Sequence, residues 1–336
     1  MTMLNEVAPD IFRISQNKRT WFAPFSVNVF VIAGENGLVF DAGMGGRKSG
    51  EFMAEQIREI EALMKQRGKP CRITRAMISH GHWDHFSGAS YLRDELGLTV
   101  LANKEMLNSI DSKKNYRRSF RRETAVIQTP TPWVIRKSYS FVHLLFDILF
   151  FIAFKVRFVS GPVEMVTDHA ELHIGDGRWE VLMMPGHCDD DMVLVNHEKG
   201  ILLCGDIVLR SVNTWLGPPR SNLERYMKAL NDLAHIPGLK LILPAHGSPI
   251  SDPYNRLREA IEHRRKRSME VVQIIKSCGG EGIGFEKLFK TIYPSLRLKE
   301  RMIARGWILL TLMYLMDKGM VASEIVKGKK LFRMVS

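Results

Sequence analysis

The run His80-Gly81-His82-Trp83-Asp84-His85 puts four potential metal ligands within six residues. It directly follows an apolar stretch, Arg75-Ala76-Met77-Ile78-Ser79, that reads as a β-strand. A loop at a strand end can turn all four donors onto one small volume. Neutral imidazole nitrogens and a carboxylate oxygen suit zinc, iron or manganese, whereas a purely structural zinc site more often recruits cysteines. The competing reading is a set of solvated surface histidines.

Three later positions weigh against that alternative. His187 closes Met184-Pro185-Gly186-His187, Asp206 closes Leu203-Cys204-Gly205-Asp206, and His246 lies in Leu243-Pro244-Ala245-His246-Gly247. Each follows a run with strand character, where a layered fold places functional loops. Singly, each would be read as a hydrogen-bonded structural residue. In this order they form a constellation.

The surrounding pattern is that of an α/β layered domain. Val27–Ala33 and Leu38–Asp41 flank a turn at 34–37 and predict a hairpin. Residues 50–67 carry Phe52, Ile57, Ile60, Leu63 and Met64 in a helical pattern closed by Gly68 and Pro70. Further strands are expected at Glu171–Ile174, Glu180–Met184, Met192–Val195, Gly200–Cys204 and Leu239–Leu243. From residue 255 a second unit is expected. Its helices lie near Asn255–Ser277, Phe285–Ile292 and Leu298–Lys318, the last with Ile303, Trp307, Leu310 and Tyr314 at helical spacing. Strands at Met320–Val326 and Leu331–Val335 around Lys327-Gly328-Lys329-Lys330 complete the outline of a winged helix.

Taken together, HxHxDH, PGH, GD and AHG, with Asp41-Ala42-Gly43 upstream, resemble the metallo-β-lactamase superfamily over about residues 10–250. The resemblance implies a four-layer αββα sandwich with metals at one edge. It implies a metallo-β-lactamase domain over 1–254, with a basic and apolar helical insertion at about 108–160, and a winged-helix domain over 255–336. Position by position, it implies that His80, His82 and His187 hold one metal. Asp84, His85 and His246 would hold the second, and Asp206 would bridge the two. Asp41 would orient the histidine loop without binding metal. The likeness is greatest to members with Pro-Gly-His-x-Asp-Asp, here Pro185–Asp190, and a C-terminal winged helix, the β-lactamase-like protein group, which includes an endoribonuclease. Asp206 stands where zinc β-lactamases carry a cysteine in their second site, so antibiotic hydrolysis is not expected. Cys204 is expected to be a buried structural thiol, and Cys188 replaces the Thr or Ser common after the histidine.

Such a site implies a dinuclear hydrolase. Two divalent ions, zinc by default with iron or manganese as alternatives, would share a bridging hydroxide as nucleophile and stabilise charge on the substrate oxygen. Asp84 is the catalytic candidate, orienting the hydroxide or passing a proton to the leaving group. The fold does not select a substrate. The aromatic segment Phe141–Phe154, with Trp21-Phe22 as a second wall, points to an ester, thioester or lactone with an apolar part.

Charge supports a second candidate. Of a net +12, residues 113–158 carry +8 and residues 255–336 carry +10, leaving −6 on the remainder. This segregation fits a phosphodiesterase or endoribonuclease acting on single-stranded nucleic acid, or a solvated basic face. Phe141–Phe154 is fourteen residues, short of the about 20 needed to span a bilayer. It reads as a core or subunit-packing helix, leaving a homodimer open, or as a lid or a membrane-surface contact. The first ten residues show no leader pattern, and four scattered cysteines suit reduced thiols in a cytoplasm.

Overall fold

The structure, a computed structural model, describes residues 4–19, 24–120, 151–296 and 298–335. The aromatic pair Trp21-Phe22 and the part of the insertion from 121 to 150 lie outside these residues.

Two sheets form the body. The first has seven strands in sequence order: β1 (Asn5–Ala8), β2 (Ile11–Arg19), β3 (Pro24–Ile32), β4 (Gly37–Phe40), β5 (Ile73–Met77), β6 (Thr99–Ala102) and β7 (Glu164–Met165). Pairing is antiparallel from β1 to β4 and parallel from β4 to β7. The second sheet holds β8 (Glu171–Ile174), β9 (Gly177–Met183), β10 (Met192–Asn196), β11 (Ile201–Leu203) and β12 (Leu241–Leu243), in the order β12-β11-β10-β9-β8. It is antiparallel except for the β11–β12 pair. Both sheets are therefore mixed or nearly so, as the alternating strand and helix pattern requires.

Side-chain alternation separates the layers. In β10, Met192 and Leu194 face the first sheet, in one core with Phe30, Phe40 and Met77. Val193 and Val195 face the other way, in a core with Leu223, Leu230 and Leu257. β11 divides likewise, Ile201 and Leu203 inward and Leu202 outward. Helices cover the outer faces. On the first sheet these are α1 (Arg47–Gln66), whose Met53, Ile57, Ile60 and Met64 are buried, and α3 (Ala89–Leu96), beyond the short α2 (Trp83–Phe86). Two further helices follow β6, α4 (Lys104–Ile110) and α5 (Lys113–Phe120). The second sheet is covered by α6 (Leu223–Ala234) and by the start of α7 (Pro253–Ser277).

This topology gathers the functional loops. β4 and β5 run parallel, so Asp41 and the 80–85 loop leave the same edge. β9, β11 and β12 share a direction, so His187, Asp206 and His246 also leave one edge. Backbone bonds join the two edges: Met192 N–H donates to Ser79 O at 2.8 Å, and Asn28 N–H to Ala245 O at 2.7 Å.

The C-terminal region has its own core. Val271 and Ile275 at the far end of α7 meet α8 (Phe285–Ile292), α9 (Leu298–Asp317) and a three-stranded sheet. That sheet is formed by β13 (Ile283–Gly284), β14 (Val321–Val326) and β15 (Lys329–Met334), in the order β13-β15-β14. α7 is continuous through both cores, with Leu257, Ala260 and Ile261 serving the main one. Of the apolar insertion, residues 151–154 are helical, with Phe154 buried against Trp83 at a ring separation of 4.1 Å. Among the described residues no helix is long and apolar enough to cross a membrane.

Leu194 is fully buried between the sheets. Leu194→Ala is expected to cost about 2–5 kcal/mol of unfolding free energy, read from denaturant melts of the metal-loaded protein. A loss below about 0.5 kcal/mol would mean the sheets do not meet there.

Candidate metal centre

Seven side chains from four strand ends converge, and their packing starts with the backbone. Asp41, at the end of β4, adopts a left-handed φ of 66°, which costs a non-glycine residue energy unless its surroundings hold it. What it gains is a pair of contacts. Its Oδ1 accepts from Ser79 N–H at 2.8 Å, and its Oδ2 accepts from His85 Nδ1–H at 2.9 Å. The carboxylate thus fixes the start of the histidine loop and one ring within it. Glycine is needed at 205, where φ is +53° and an added Cβ would fall 2.8 Å from Ser79 Oγ.

The inward atoms form two groups. His80, His82, His187 and Asp206 make one, and Asp84, His85 and His246 the other, with donor atoms in each group within 4.8 Å of one another. In the first, His82 Nδ1 lies 2.9 Å from His80 Nε2 and 3.1 Å from His187 Nε2, and His187 Nε2 lies 3.8 Å from Asp206 Oδ2. In the second, His246 Nε2 is 3.5 Å from Asp84 Oδ2, and His85 Nε2 is 3.8 Å from Asp84 Oδ1. Asp206 faces this group as well, with Oδ2 at 3.7 Å from His85 Nε2 and Oδ1 at 3.4 Å from His246 Nε2. One carboxylate therefore faces both groups.

The 3.4–3.8 Å spacings around Asp84 and Asp206 fit cations better than they fit hydrogen bonds, while His82 Nδ1 stands within hydrogen-bond reach of His80 and His187. Ligand atoms about 2.0–2.1 Å from a shared zinc sit about 3.3–3.4 Å from one another. His85 Nε2 is buried with no hydrogen-bond partner, which is costly unless something else accepts its lone pair. The outer ring nitrogens are occupied: His187 Nδ1–H donates to Trp215 O at 2.8 Å, His246 Nδ1–H to Ser26 O at 2.5 Å, and His80 Nδ1 meets Ser79 Oγ at 3.0 Å. Anchoring Nδ1 as the proton-bearing nitrogen of His85, His187 and His246 leaves Nε2 of each with a lone pair aimed inward. The residues fit a pair of divalent ions.

Electrostatics agree. Burial works against charge on His85, yet Asp41, Asp84 and Asp206 together raise it to about 10. Burial opposes charge on His246 too, and Asp206 with Asp84 lifts it to about 9. Burial pushes the Asp206 carboxyl up, but His246 and His85 hold it far below the ordinary carboxylate range. His80 and His82 are driven well below the usual histidine value by burial, then by the neighbouring rings. The pocket demands positive charge on the carboxylate side and neutral imidazoles on the other.

Several contributors carry no motif of their own. Arg220, nearly fully buried, pairs with Asp189 Oδ1 and with Asp190 Oδ2, both at 2.5 Å, and donates to Ser109 Oγ at 3.2 Å. Asp190 Oδ1 in turn accepts from Gly81 N–H at 3.3 Å, so this ion pair links the 187–191 loop to the 80–85 loop. A Cβ at residue 81 would lie 2.6 Å from the Arg220 guanidinium, which explains the glycine between the two histidines. Asp189-Asp190-Asp191 is visible as an acidic run, but nothing in the sequence marks Arg220 as its partner. Cys188 is buried with Sγ 3.7 Å from His82 Nε2, and burial drives its thiol well above the ordinary value. Cys204 is buried, donating to Val208 O, and burial pushes it up to about 12, as expected of an inert thiol.

The loop after Asp206 is braced from the C-terminal side. Thr214 Oγ1 donates to Asp206 O at 2.8 Å, Arg264 donates to Thr214 O, Arg256 Nε donates to Leu209 O at 2.6 Å, and Tyr226 OH donates to Ile207 O at 2.8 Å. The same loop supplies the Trp215 carbonyl that orients His187.

Asp41→Asn keeps the shape but removes the charge facing His85. It is expected to lower metal affinity about 10–100-fold with the circular dichroism spectrum unchanged, read by chelator competition. His85 and His246 sit at about 10 and about 9 in the protein alone and would each have to lose a proton to bind metal. Metal uptake at pH 7.5 should therefore release protons into a weak buffer, and affinity should climb with pH up to that range. Uptake with no proton release would contradict the assignment.

The geometry has counterparts among known proteins. The Metallo-beta-lactamase superfamily model matches residues 23–246. The chain is 21% identical to the probable metallo-hydrolase YqjP of Bacillus subtilis, over 76% of this chain and 78% of that one. It is 26% identical to the human acyl-coenzyme A thioesterase MBLAC2, over 65% and 72% of the two chains. In fold it is similar to a beta-lactamase domain protein from Burkholderia ambifaria, with a TM-score of 0.74 and 18% identity over 99% of this chain and 94% of that one. A match over two thirds of the chain, spanning every donor described above, leaves one conclusion: the chain belongs to the metallo-beta-lactamase superfamily and is a metal-dependent hydrolase.

Proposed function

We propose that this hydrolase cleaves acyl thioesters with an apolar acyl part, other esters and lactones being its chemical neighbours. The observation that carries the reading is an aromatic wall at the metal edge. Trp215 stands 6.2 Å from His82 between ring centroids and is 37% exposed, while the half-buried Trp83, chain neighbour of Asp84, rests at a tilt on the buried Phe154. An acyl chain laid on Trp215 would bury apolar surface within reach of the donor cluster. The likeness to a relative named for acyl-coenzyme A hydrolysis supports the same class.

In this reading His80, His82 and His187 hold one divalent ion, Asp84, His85 and His246 a second, and Asp206 both. Zinc is the ordinary choice for such donors. When bound, the ions supply an activated water and electrophilic help to the carbonyl. The protein's own part is orientation and proton handling. Asp41, Ser26 O and Trp215 O fix the imidazoles. Asp84, buried at the cluster with its two oxygens facing His85 and His246, is assigned to orient the water and return a proton to the leaving sulfur.

The C-terminal residues 255–336 are proposed to form a winged helix: α7, α8 and α9 with the hairpin β14–β15 have that order. Its basic hairpin tip, Lys327–Lys330, beside Ile325 at 58% exposure, favours the second reading, a phosphodiesterase or endoribonuclease on single-stranded nucleic acid. Against this, part of the tail's positive charge has structural work. Arg256 and Arg264 brace the 206–215 loop, Arg267 lies over Tyr293 and Trp307, and Arg305, Lys318 and Arg333 pair with Glu286, Glu224 and Glu324. A cytoplasmic setting is proposed from the four cysteines, all free thiols. A homodimer or a membrane contact would rest on Phe141–Phe154, most of which is outside the described residues.

The test is turnover. Zinc-loaded protein should hydrolyse medium- and long-chain acyl thioesters, and His82→Ala should lose at least about 100-fold in kcat/KM while remaining folded. No metal-dependent thioesterase activity, together with cleavage of single-stranded RNA and binding that weakens steeply with salt, would replace the first reading by the second.

A further inference from the structure

One cleft near the metal edge is not accounted for by the hydrolytic machinery. It has a volume of about 470 Å³ and is lined by Gln16, Met44, Gly46, Lys48, Ser49 and Lys155, among others. Its floor is the start of α1. That helix begins after Gly46, which gives it no side-chain cap, and its first turn contains no acidic residue. Arg47 and Lys48 stand there instead, although a helix N-terminus carries positive potential and free N–H groups and disfavours cations. Lys155 reaches the same cleft from the end of the insertion. Among the described residues, neither Lys48 nor Lys155 is paired with a carboxylate and no Asp or Glu lines the cleft.

A second feature points the same way. Gln16 is 5% exposed and lines this cleft. Its Oε1 accepts from Met44 N–H at 2.7 Å, which fixes the amide, yet its Nε2 is buried with no acceptor. A buried donor left unmatched costs about 1–3 kcal/mol unless a ligand supplies the acceptor. Two lysines, a helix N-terminus and an unmatched amide donor all call for an anionic oxygen acceptor.

The cleft is joined to the donor loops through Met44. Met44 packs with Val27, Ala245 and Trp83, the last two being chain neighbours of His246 and of His82 and Asp84. On β2 and β3, Asn17 at the cleft pairs with Ser26, whose carbonyl orients His246.

We propose that this cleft binds a phosphate ester, the phosphorylated end of the substrate's thiol leaving group. The inference rests on the thioester reading: the acyl chain lies along Trp215, and the carrier's phosphate docks on Lys48, Lys155 and Gln16 Nε2.

The experiment compares wild type with Lys48→Glu/Lys155→Glu on two substrates sharing one acyl group, an acyl-coenzyme A and the uncharged N-acetylcysteamine thioester. The double variant should raise KM for the coenzyme A thioester about tenfold or more, with kcat/KM for the uncharged thioester within about twofold of wild type. Equal losses on both substrates, or none on either, would overturn the proposal. A separate arm titrates metal-loaded protein with adenosine 3′,5′-bisphosphate and with inorganic phosphate by calorimetry. Binding by wild type that the variant loses supports the site even if neither thioester turns over, in which case only the thioester reading fails. No binding of either probe to wild type overturns the site. Gln16→Glu, which keeps the acceptor for Met44 N–H but replaces the buried donor with a carboxylate, is expected to weaken adenosine 3′,5′-bisphosphate.

Discussion

Five imidazoles and three carboxylates are packed where the edges of the two sheets meet and water has little access. His85 has a nitrogen buried without a partner, and Asp206 turns an oxygen toward each of two donor groups at distances too long for strong hydrogen bonds. Burying such groups costs several kcal/mol apiece unless charge or coordination compensates. Divalent ions are the natural compensation. The rest of the architecture follows from holding these donors apart by the width of an ion.

That holding is distributed over the whole chain. Parallel β4 and β5 deliver Asp41 and the histidine loop to one edge, and the shared direction of β9, β11 and β12 brings His187, Asp206 and His246 to meet them. Outside the donors lies a layer of fixed acceptors: Asp41, Ser79, Ser26 O and Trp215 O. Beyond these again, Arg220 with Asp190 ties two loops together, and Arg256 and Arg264 from the C-terminal helix brace the loop that presents Trp215. Two of the tail's arginines thereby acquire a structural role beside the donor site, which composition alone could not distinguish from an anion-binding face.

Much of this was legible in the sequence, for identifiable reasons. A dense run such as HxHxDH and isolated donors after apolar stretches carry local signals, and the strands behind them follow from β-branched runs. The expected β4, β8, β10 and C-terminal hairpin agree with the observed elements to within a residue or two. The helix Leu223–Ala234 lay outside the expectations although Leu223, Tyr226, Leu230 and Leu233 mark a helical face. What stayed hidden depends on tertiary proximity. Arg220 and Asp190 lie thirty residues apart, Ser26 and His246 are brought together only where the two sheets meet, and main-chain carbonyls leave no trace in side-chain identity. The unmatched amide of Gln16 is invisible for the same reason: only the fold shows that its Oε1 is used and its Nε2 is not.

The central claim is that the converged donors hold two ions bridged through Asp206. Metal content measured by inductively coupled plasma mass spectrometry on dialysed protein tests it most directly. Wild type should retain close to two zinc, iron or manganese ions per chain, and Asp206→Ala should fall to one or fewer while keeping its fold. A wild-type protein that retains no metal after loading, or an Asp206→Ala variant that keeps both ions, would contradict it.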